Sequence, residues 1–429
     1  MHRMRCGARK LVASWWKQRE ELREGFFTWF DRLTMIGGFG YSPSRIAKLA
    51  QSIDWSATLG AANAFSGDDA ALETLMLPFA SDALAWSRDA RALFVHARDG
   101  WPLRAMPLGR LVCEQGFKPY ADALQRGGLT LATRADDEKF PLVLLLPPRQ
   151  REQARADLAR AVQRTAIGGT VVACIANNEG ARSGEADMQR LVGPMHNLSK
   201  NHCRVFWATL REETLDRALL DVWSQLDAPR PIVDGRFVSR PGVFAWDRID
   251  VASELLATRL PDDLAGRVAD LGAGYGYLSA EVLARCPRVV SIDLYEADAR
   301  ALELARQNLS STNAARTTGA KLDFIWHDVT TGLPHRYDAV VMNPPFHQGR
   351  ADLPELGCAF IAVAADALLP HGRLWLVANR HLPYEAILHE RFATVRNVAA
   401  ERGFKVIEAT KANLPLPSGE GWGEGRAKP

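Results

Sequence analysis

"VADLGAGYGYLS", residues 268–279, is the stretch from which the fold is read. An apolar run ends on Asp270 and Leu271, glycines follow at 272, 274 and 276, and a helix-forming segment begins at once. Glycines at a strand-to-helix turn let the chain bend tightly and bring backbone N–H groups against a ligand. The register is not that of a dinucleotide loop, G-x-G-x-x-G, because Tyr277 stands where the last glycine would be. No G-x-x-x-x-G-K-[ST] is present either, so a nucleoside triphosphate loop is not expected. D-x-G-x-G-x-G fits S-adenosylmethionine, whose amino-acid end packs against such a turn.

Around this loop, apolar strands alternate with helical segments: "RVADLG", "YLSAEVLARC", "RVVSIDLYE", "ADARALELARQNL", "LDFIWHD", "YDAVVMN" and "RLWLVAN". Leu302, Ala305 and Leu309 recur at i, i+3 and i+7, the period of a helix laid on a sheet. The pattern is that of a parallel, doubly wound α/β domain. The strand after the loop should carry an acid for a ribose diol, since a carboxylate accepts two hydrogen bonds. Asp293 and Glu296 are the candidates. Glu296 is preferred because it lies 20 residues past Gly276 and opens a helix, where negative charge is favourable. Asp328, after the next strand, is placed to meet an adenine amine.

"VVMNPPFHQG", residues 340–349, ends a buried strand on Asn343, Pro344, Pro345 and Phe346. An exocyclic amine on a nucleobase is a poor nucleophile because its lone pair is delocalised into the ring. If the Asn343 side-chain oxygen and the Pro344 carbonyl each accept one N–H, the lone pair is aimed at the methyl donor without a strong base, an effect of about several kcal/mol in a dry site. The prolines fix φ and lack N–H groups, so the turn is stiff and its carbonyls are free for substrate. Phe346 can stack on a splayed base, a contact of about 1–3 kcal/mol. His347 follows and is a candidate general base or RNA-backbone contact.

An internal echo runs through the chain. "FPLVLLLPPRQ" (140–150) and "YDAVVMNPPFHQ" (337–348) are both strands ending in a double proline, and "GGTVVACIANN" (168–178) mirrors "HGRLWLVANR" (371–380). Pro147 and Pro344 are 197 residues apart, Asn177 and Asn379 are 202 apart. Two copies of one α/β domain are expected. The first copy has Leu146 where the second has Asn343 and lacks the glycine loop, so it should be chemically inert. The prolines and glycines of 226–244 read as the linker, which places four segments: an extension at 1–60, a first domain at 61–235, a catalytic domain at 236–411 and a disordered tail at 412–429.

Composition bounds the rest. With 429 residues, 47% of them hydrophobic, the chain is long enough for two packed domains. Its 53 basic and 50 acidic residues leave no global field that would announce nucleic acid. Residues 1–50 nevertheless hold ten Lys/Arg against four Asp/Glu with six Trp and Phe at 15–30, an amphipathic pattern able to touch RNA. Six dispersed cysteines without a CxxC pair predict reduced thiols in a cytoplasmic setting and no zinc site. His196, His202 and Cys203 complete no metal set at a recognisable spacing, so no metal is expected. No apolar run reaches the roughly 20 residues of a membrane span, so no membrane partner is expected.

The segments "RPGVFAWDRIDVASELL" (240–256), "ADLGAGYGYLS", "NPPFHQG" and "LVANRHLPY" (376–384), in that order, resemble the bacterial ribosomal RNA guanine-N2 methyltransferases of the small-subunit methyltransferase C type. "NNEGARSGEADMQ" (177–189) matches more loosely, and the resemblance spans roughly residues 70–411. It implies two tandem Rossmann-like class I methyltransferase domains with doubly wound, mainly parallel sheets, the N-terminal one degenerate. It implies S-adenosyl-L-methionine held by Asp270, Gly272, Ala273, Gly274, Gly276 and Glu296, with Asp328 on the adenine side and Phe244 and Asp250 as neighbours. The catalytic turn falls on Asn343, Pro344, Pro345 and Phe346. The partner implied is ribosomal RNA or a ribosomal subunit, approached by a monomer. Two rivals stay open on the residues alone: an acceptor at adenine N6 or a protein glutamine amide, and a catalytically silent RNA-binding or assembly factor.

Overall fold

The computed structural model describes residues 69–86, 89–104, 106–132, 138–310, 319–345, 347–348, 351–352 and 354–412, with the backbone path alone at 347–348 and 351–352. The basic extension, Phe346 and the tail beyond 412 lie outside the described residues. Met76–Ala85 belong to one compact unit; Asp69–Leu75 and the chain from Trp86 onward belong to another, which holds both sheets and all that follows.

Helix α1 (Ala70–Ala80) precedes a first sheet of β1 (Ala92–Val95), β2 (Leu111–Glu114), β3 (Thr130–Leu131), β4 (Phe140–Leu145), β5 (Thr165–Ala176), β6 (His196–Lys200) and β7 (Cys203–Thr209). Its helices are α2 (Trp101–Arg104), α3 (Lys118–Arg126), α4 (Arg151–Arg164), α5 (Ala181–Val192) and α6 (Arg217–Ser224). A hairpin, β8 (Arg230–Ile232) with β9 (Phe237–Ser239), leads into α7 (Val251–Arg259). The second sheet comprises β10 (Ala265–Leu271), β11 (Arg288–Glu296), β12 (Lys321–Trp326), β13 (Tyr337–Met342), β16 (Leu368–Asn379), β17 (Thr394–Glu401) and β18 (Phe404–Thr410). Its helices are α8 (Tyr277–Arg285), α9 (Ala299–Ser310), α10 (Pro354–Ala367) and α11 (Glu385–Arg391), and β14 (His347–Gln348) pairs with β15 (Ala351–Asp352) as a separate hairpin.

The two sheets have one topology. Their orders are β3-β2-β1-β4-β5-β7-β6 and β12-β11-β10-β13-β16-β18-β17. In each, the first five strands in that order are parallel and the last two join antiparallel. The echo between "FPLVLLL" and "YDAVVMN" is thus an echo of whole domains. Strands covered on both faces must be apolar at consecutive positions, which is why these segments read as continuous runs. In the second sheet Val268, Ile292, Val341 and Val377 face α7, α8 and α9, while Leu271, Val340, Met342 and Leu376 face α10 and α11. Each such side chain contributes about 1.5–3 kcal/mol on burial.

The proline- and glycine-rich stretch at 226–244 is not a free linker. Its hairpin buries Phe237 against Tyr275 and Tyr277, with ring centroids 5.6 and 5.8 Å away, and Asn308 on α9 exchanges two hydrogen bonds with the backbone of Val238, 2.7 and 3.0 Å long. The boundary expected near 235 therefore falls within a hairpin packed on the second domain. Among the described residues the five cysteines are free, no group of metal-ligating side chains gathers, and no helix is long and apolar enough to cross a membrane.

The correspondence between domains follows from strand register. Val95 pairs with Leu145 and Glu114; Leu271 pairs with Met342 and Tyr295. The loops after β2 and β11 are therefore equivalents, and they pair with each other. Phe117 bridges Asp298 antiparallel; Lys118 N–H donates to Ala297 O (2.8 Å) and Ala299 N–H donates to Gly116 O (2.9 Å). Each domain gives the other the same bond, which is a local pseudo-two-fold relation.

Candidate active site

Chain connections leave β10 toward β11 and leave β13 toward β16, on opposite sides, so β10 and β13 flank the switch point of the second sheet. Ligands in such sheets bind beyond the strand ends at that point. Leu271 is the register partner of Met342, so Gly272 and Asn343 leave the sheet side by side. The two motifs singled out in the sequence meet here.

The loop needs its glycines for two different reasons. Gly272, Gly274 and Gly276 have φ of 76°, 56° and 91°, all left-handed. A Cβ on Gly276 would sit 3.2 Å from Ala305 Cβ and 3.3 Å from Leu309 Cδ1, so only glycine lets α9 approach. A Cβ on Gly274 would meet nothing within 4 Å, so the chain faces open space there. Gly272 N–H and Ala273 N–H donate to Tyr295 O (2.9 and 3.1 Å), and Gly274 N–H donates to Glu296 Oε2 (2.8 Å).

Two acids lie under the loop. Asp270 is fully buried, its Oδ2 accepting from Ser279 Oγ (2.7 Å), while its Oδ1 has no partner among the described residues. Burial pushes its carboxyl up to about 6. Burial likewise pushes Glu296 up to about 7, although its carboxylate accepts from Gly274 N–H and Asp298 N–H. The lone pairs left on the two carboxylates can accept from a ligand that carries an ammonium group and a diol. An open cleft lined by Phe244, Asp250, Gly272, Gly274, Tyr277 and Asn343 lies where the glycine loop and the Asn343 turn meet.

At the acceptor turn, Asn343 Nδ2 donates to Asp250 Oδ2 (3.0 Å) and to Ser253 Oγ (2.9 Å). A carboxylate can only accept, so the amide nitrogen must point at Asp250 and the oxygen away from it. Oδ1 of Asn343 has no partner among the described residues. Asp250 is itself held, because the same Oδ2 caps α7 by accepting Ser253 N–H (2.8 Å). Pro344 is buried and Pro345 exposed.

Of the residues expected at the site, Asp250, Gly272, Ala273, Gly274, Phe244 and Asn343 line the cleft, Glu296 touches the loop through Gly274 N–H, and Asp270, Gly276 and Pro344 adjoin these in the chain; Phe244 stands 61% exposed. Asp250, expected as a neighbour of the cofactor, lines the cleft with the glycine loop and also accepts from the amide of Asn343. Asp293 does not reach the loop. It pairs in register with Ala269 and is fully buried, accepting from Arg267 Nη2 (2.6 Å) and Tyr337 OH (2.7 Å), so it is engaged by a half-buried arginine and a core tyrosine. Asp328 caps its own turn, accepting from Thr330 N–H (3.0 Å) and Thr330 Oγ1 (2.6 Å) through one oxygen. Phe346 and the side chain of His347 lie outside the described residues. Sequence reading missed Ser253; its one signal was the D-x-x-S spacing of a helix cap.

Comparison with known proteins gives the family. The profile of the Methyltransferase small domain family matches residues 234–408. A ribosomal RNA small subunit methyltransferase C from Pasteurella multocida is 30% identical over 271 residues, which are 63% of this chain and 80% of that protein. The chain belongs to the ribosomal RNA small subunit methyltransferase C family. The protein of that name from Psychromonas ingrahamii is 28% identical over 274 residues, 63% of this chain and 76% of its own. Among solved structures, the T. thermophilus 16S rRNA N2 G1207 methyltransferase in complex with AdoMet and guanosine shares the fold, with a TM-score of 0.65 and 24% identity over 80% of this chain and 92% of that one.

In this small subunit methyltransferase C relative, the first domain keeps the framework of the site without its chemistry. Ala97 N–H donates to Glu114 O over 3.1 Å, as Ala273 N–H does to Tyr295 O. By register Asp270 is matched by Phe94, Gly272 by His96, Gly274 by Arg98, Glu296 by Gln115 and Asn343 by Leu146. Gln115 mimics the bonds of Glu296 with an amide: its Oε1 accepts from Phe117 N–H (2.8 Å) and its Nε2 donates to Ala97 O (2.7 Å). The acid is gone and the loop is tied shut.

Proposed function

We propose that this chain uses S-adenosylmethionine to methylate the exocyclic N2 amine of a guanine in small-subunit ribosomal RNA, with the second domain carrying the chemistry. The observation that carries this reading is the locked amide of Asn343. Its nitrogen is committed to Asp250 and Ser253, so an acceptor oxygen is presented one strand away from the glycine loop.

S-adenosylmethionine, when bound, supplies an electrophilic methyl group on a sulfonium. Asp270, with its unpartnered oxygen, and the backbone of Gly272 to Gly276 suit the amino-acid end. Glu296 suits the ribose diol, and the free oxygen of Asp328 suits the adenine amine. Asn343 Oδ1 and the Pro344 carbonyl take the two N–H bonds of the guanine amine and turn its lone pair toward the donor. The amide fixed in advance makes this preorganisation rather than induced fit, and no strong base is needed. The target base must be unpaired or flipped to enter the turn, where Phe346 would stack on it. The first domain, proposed to span 61–235, would bind RNA and support the catalytic half, and the protein would act as a cytoplasmic monomer.

The test is transfer of tritium from labelled S-adenosylmethionine to ribosomal RNA and small subunits lacking the modification, followed by nucleoside analysis. Label in N2-methylguanosine, reduced at least a hundredfold by Asn343→Ala, is expected. Label at adenine N6 would hand the site to the other acceptor, and no label in RNA would overturn the proposal.

A further inference from the structure

We infer that Trp326, together with the main chain of the inert domain, is a positioning device for Glu296, so that the first domain takes part in cofactor binding without touching the cofactor. The inference rests on the reading that Glu296 receives the ribose diol.

Hydrogen bonds from both domains hold the short loop 296–299. Glu296 O accepts from His327 N–H (3.0 Å), and Asp298 N–H returns to the Glu296 carboxylate (2.8 Å). The other two groups are held from the first domain. Ala297 O accepts from Lys118 N–H (2.8 Å), and Ala299 N–H donates to Gly116 O (2.9 Å). Between them sits Trp326, the register partner of Glu296 at the end of β12. Its indole N–H donates to both Ala297 O (2.8 Å) and Gly116 O (3.1 Å), one carbonyl from each domain. An indole nitrogen carries one N–H and can only donate, so the two carbonyls share that hydrogen in a three-centre bond.

Two of the hydrogen bonds that fix the backbone beside Glu296, at Ala297 O and Ala299 N–H, therefore come from a domain with no catalytic group of its own. Glu296 is in turn the residue whose carboxylate closes on Gly274 N–H. A movement of Ala297 by a few tenths of an ångström is transmitted to the carboxylate and to the loop it touches. Bond geometry at a polar site is steep in distance and angle, so such a shift costs affinity. Cofactor affinity, and not the methyl-transfer step at Asn343, is the quantity that should respond.

Two variants remove the anchors with little else. Trp326→Phe keeps an aromatic ring and deletes the N–H. Lys118→Pro deletes the N–H given to Ala297; Lys118 is the first residue of α3 and follows Phe117 at φ −96°, ψ 115°, a setting that accepts proline. Lys118→Ala is its control, removing the ion pair with Asp122 and the stacking over Trp326 while keeping the N–H. With the full chain and undermethylated small subunits, both Trp326→Phe and Lys118→Pro should raise KM and Kd for S-adenosylmethionine about fivefold. The kcat at saturating cofactor and KM for RNA should stay within about twofold, and Lys118→Ala should resemble the unaltered chain. Loss of kcat and Tm with unchanged cofactor KM would mean an ordinary domain contact and would overturn the inference. Glu296→Gln separates the two levels. If it weakens cofactor binding while Trp326→Phe and Lys118→Pro do not, the positioning role fails and the ribose assignment stands. If Glu296→Gln has no effect on cofactor affinity, both fail.

Discussion

Asp250 Oδ2 accepts two hydrogen bonds at once, from Ser253 N–H at the start of α7 and from the amide of Asn343, 93 residues further along the chain. A helix cap and the amide of the Asn343 turn thus share one oxygen atom. The helix holds the acid, and the acid holds the amide.

Because a single oxygen does both tasks, Asp250→Asn can keep them through its own carbonyl, whereas Asp250→Ala loses both. Asp250→Asn should retain kcat within about threefold. Asp250→Ala should lower kcat by about tenfold or more and cost about 1 kcal/mol of stability, with the Kd for cofactor little changed. Steady-state kinetics beside thermal unfolding checks this, and equal kinetics for the two variants would contradict it.

The glycines of the loop should separate in their effects. Gly276→Ala meets the Cα and Cβ of Ala305 at 3.3 and 3.2 Å in a left-handed conformation, so it should lower Tm and cofactor affinity together. Gly274→Ala meets nothing and should cost only the left-handed penalty of about 1–2 kcal/mol, yet place a methyl group on the open side of the loop. Its Tm should fall less than that of Gly276→Ala while cofactor Kd rises by more than tenfold. Calorimetric unfolding and equilibrium binding of S-adenosylhomocysteine measure the two quantities.

Acidity gives a third prediction. Burial raises Glu296 from 4.5 to about 7 and Asp270 from 3.8 to about 6. Both acids are raised, so the folded chain keeps protons that the unfolded chain releases. Their contribution to stability is full below their unfolded values and is lost as pH rises through about 6 and 7. A cationic ligand with hydroxyl donors favours the carboxylates, so binding should expel protons, and affinity should climb through this window and level off above it. Titration calorimetry in buffers of different ionisation heat detects the released protons, and Glu296→Gln should remove the upper part of the climb. An affinity that is flat from pH about 5.5 to 8 would contradict the assignment.

Asp293 should behave as a core ion partner. Asp293→Ala leaves the half-exposed Arg267 and the buried Tyr337 without their shared acceptor and should cost about 1–3 kcal/mol of stability, with cofactor KM unchanged in the folded fraction. A raised KM with unchanged Tm would return Asp293 to the ribose site.

How far the sequence could be read depended on the range of the interaction. The strands of the second sheet were legible because burial on both faces writes itself into consecutive residues, and "RVVSIDLYE" coincides with Arg288–Glu296. Glu296 was preferred over Asp293 from its place at the strand end, and the fold puts Glu296, not Asp293, against the loop. Asp250 was noticed for its neighbourhood, but its contact with Asn343 spans 93 residues and leaves no local pattern. The stretch around Phe237 was read as linker because proline and glycine look alike in a hairpin and in a spacer; only burial against Tyr275 and Tyr277 tells them apart. The pairing of the loops at Gly116 and Ala297 is made largely by backbone groups, which every residue but proline carries.

That last property has a consequence for how such a molecule can change over time. Two halves joined through N–H and C=O groups behave like a dimer whose subunits share one chain, and the joint asks for almost no particular side chain. One half can then carry Phe94, Gln115 and Leu146 where the other carries Asp270, Glu296 and Asn343, while the grip between the halves persists. A domain without the acids and the amide can thereby serve as the scaffold of one that has them.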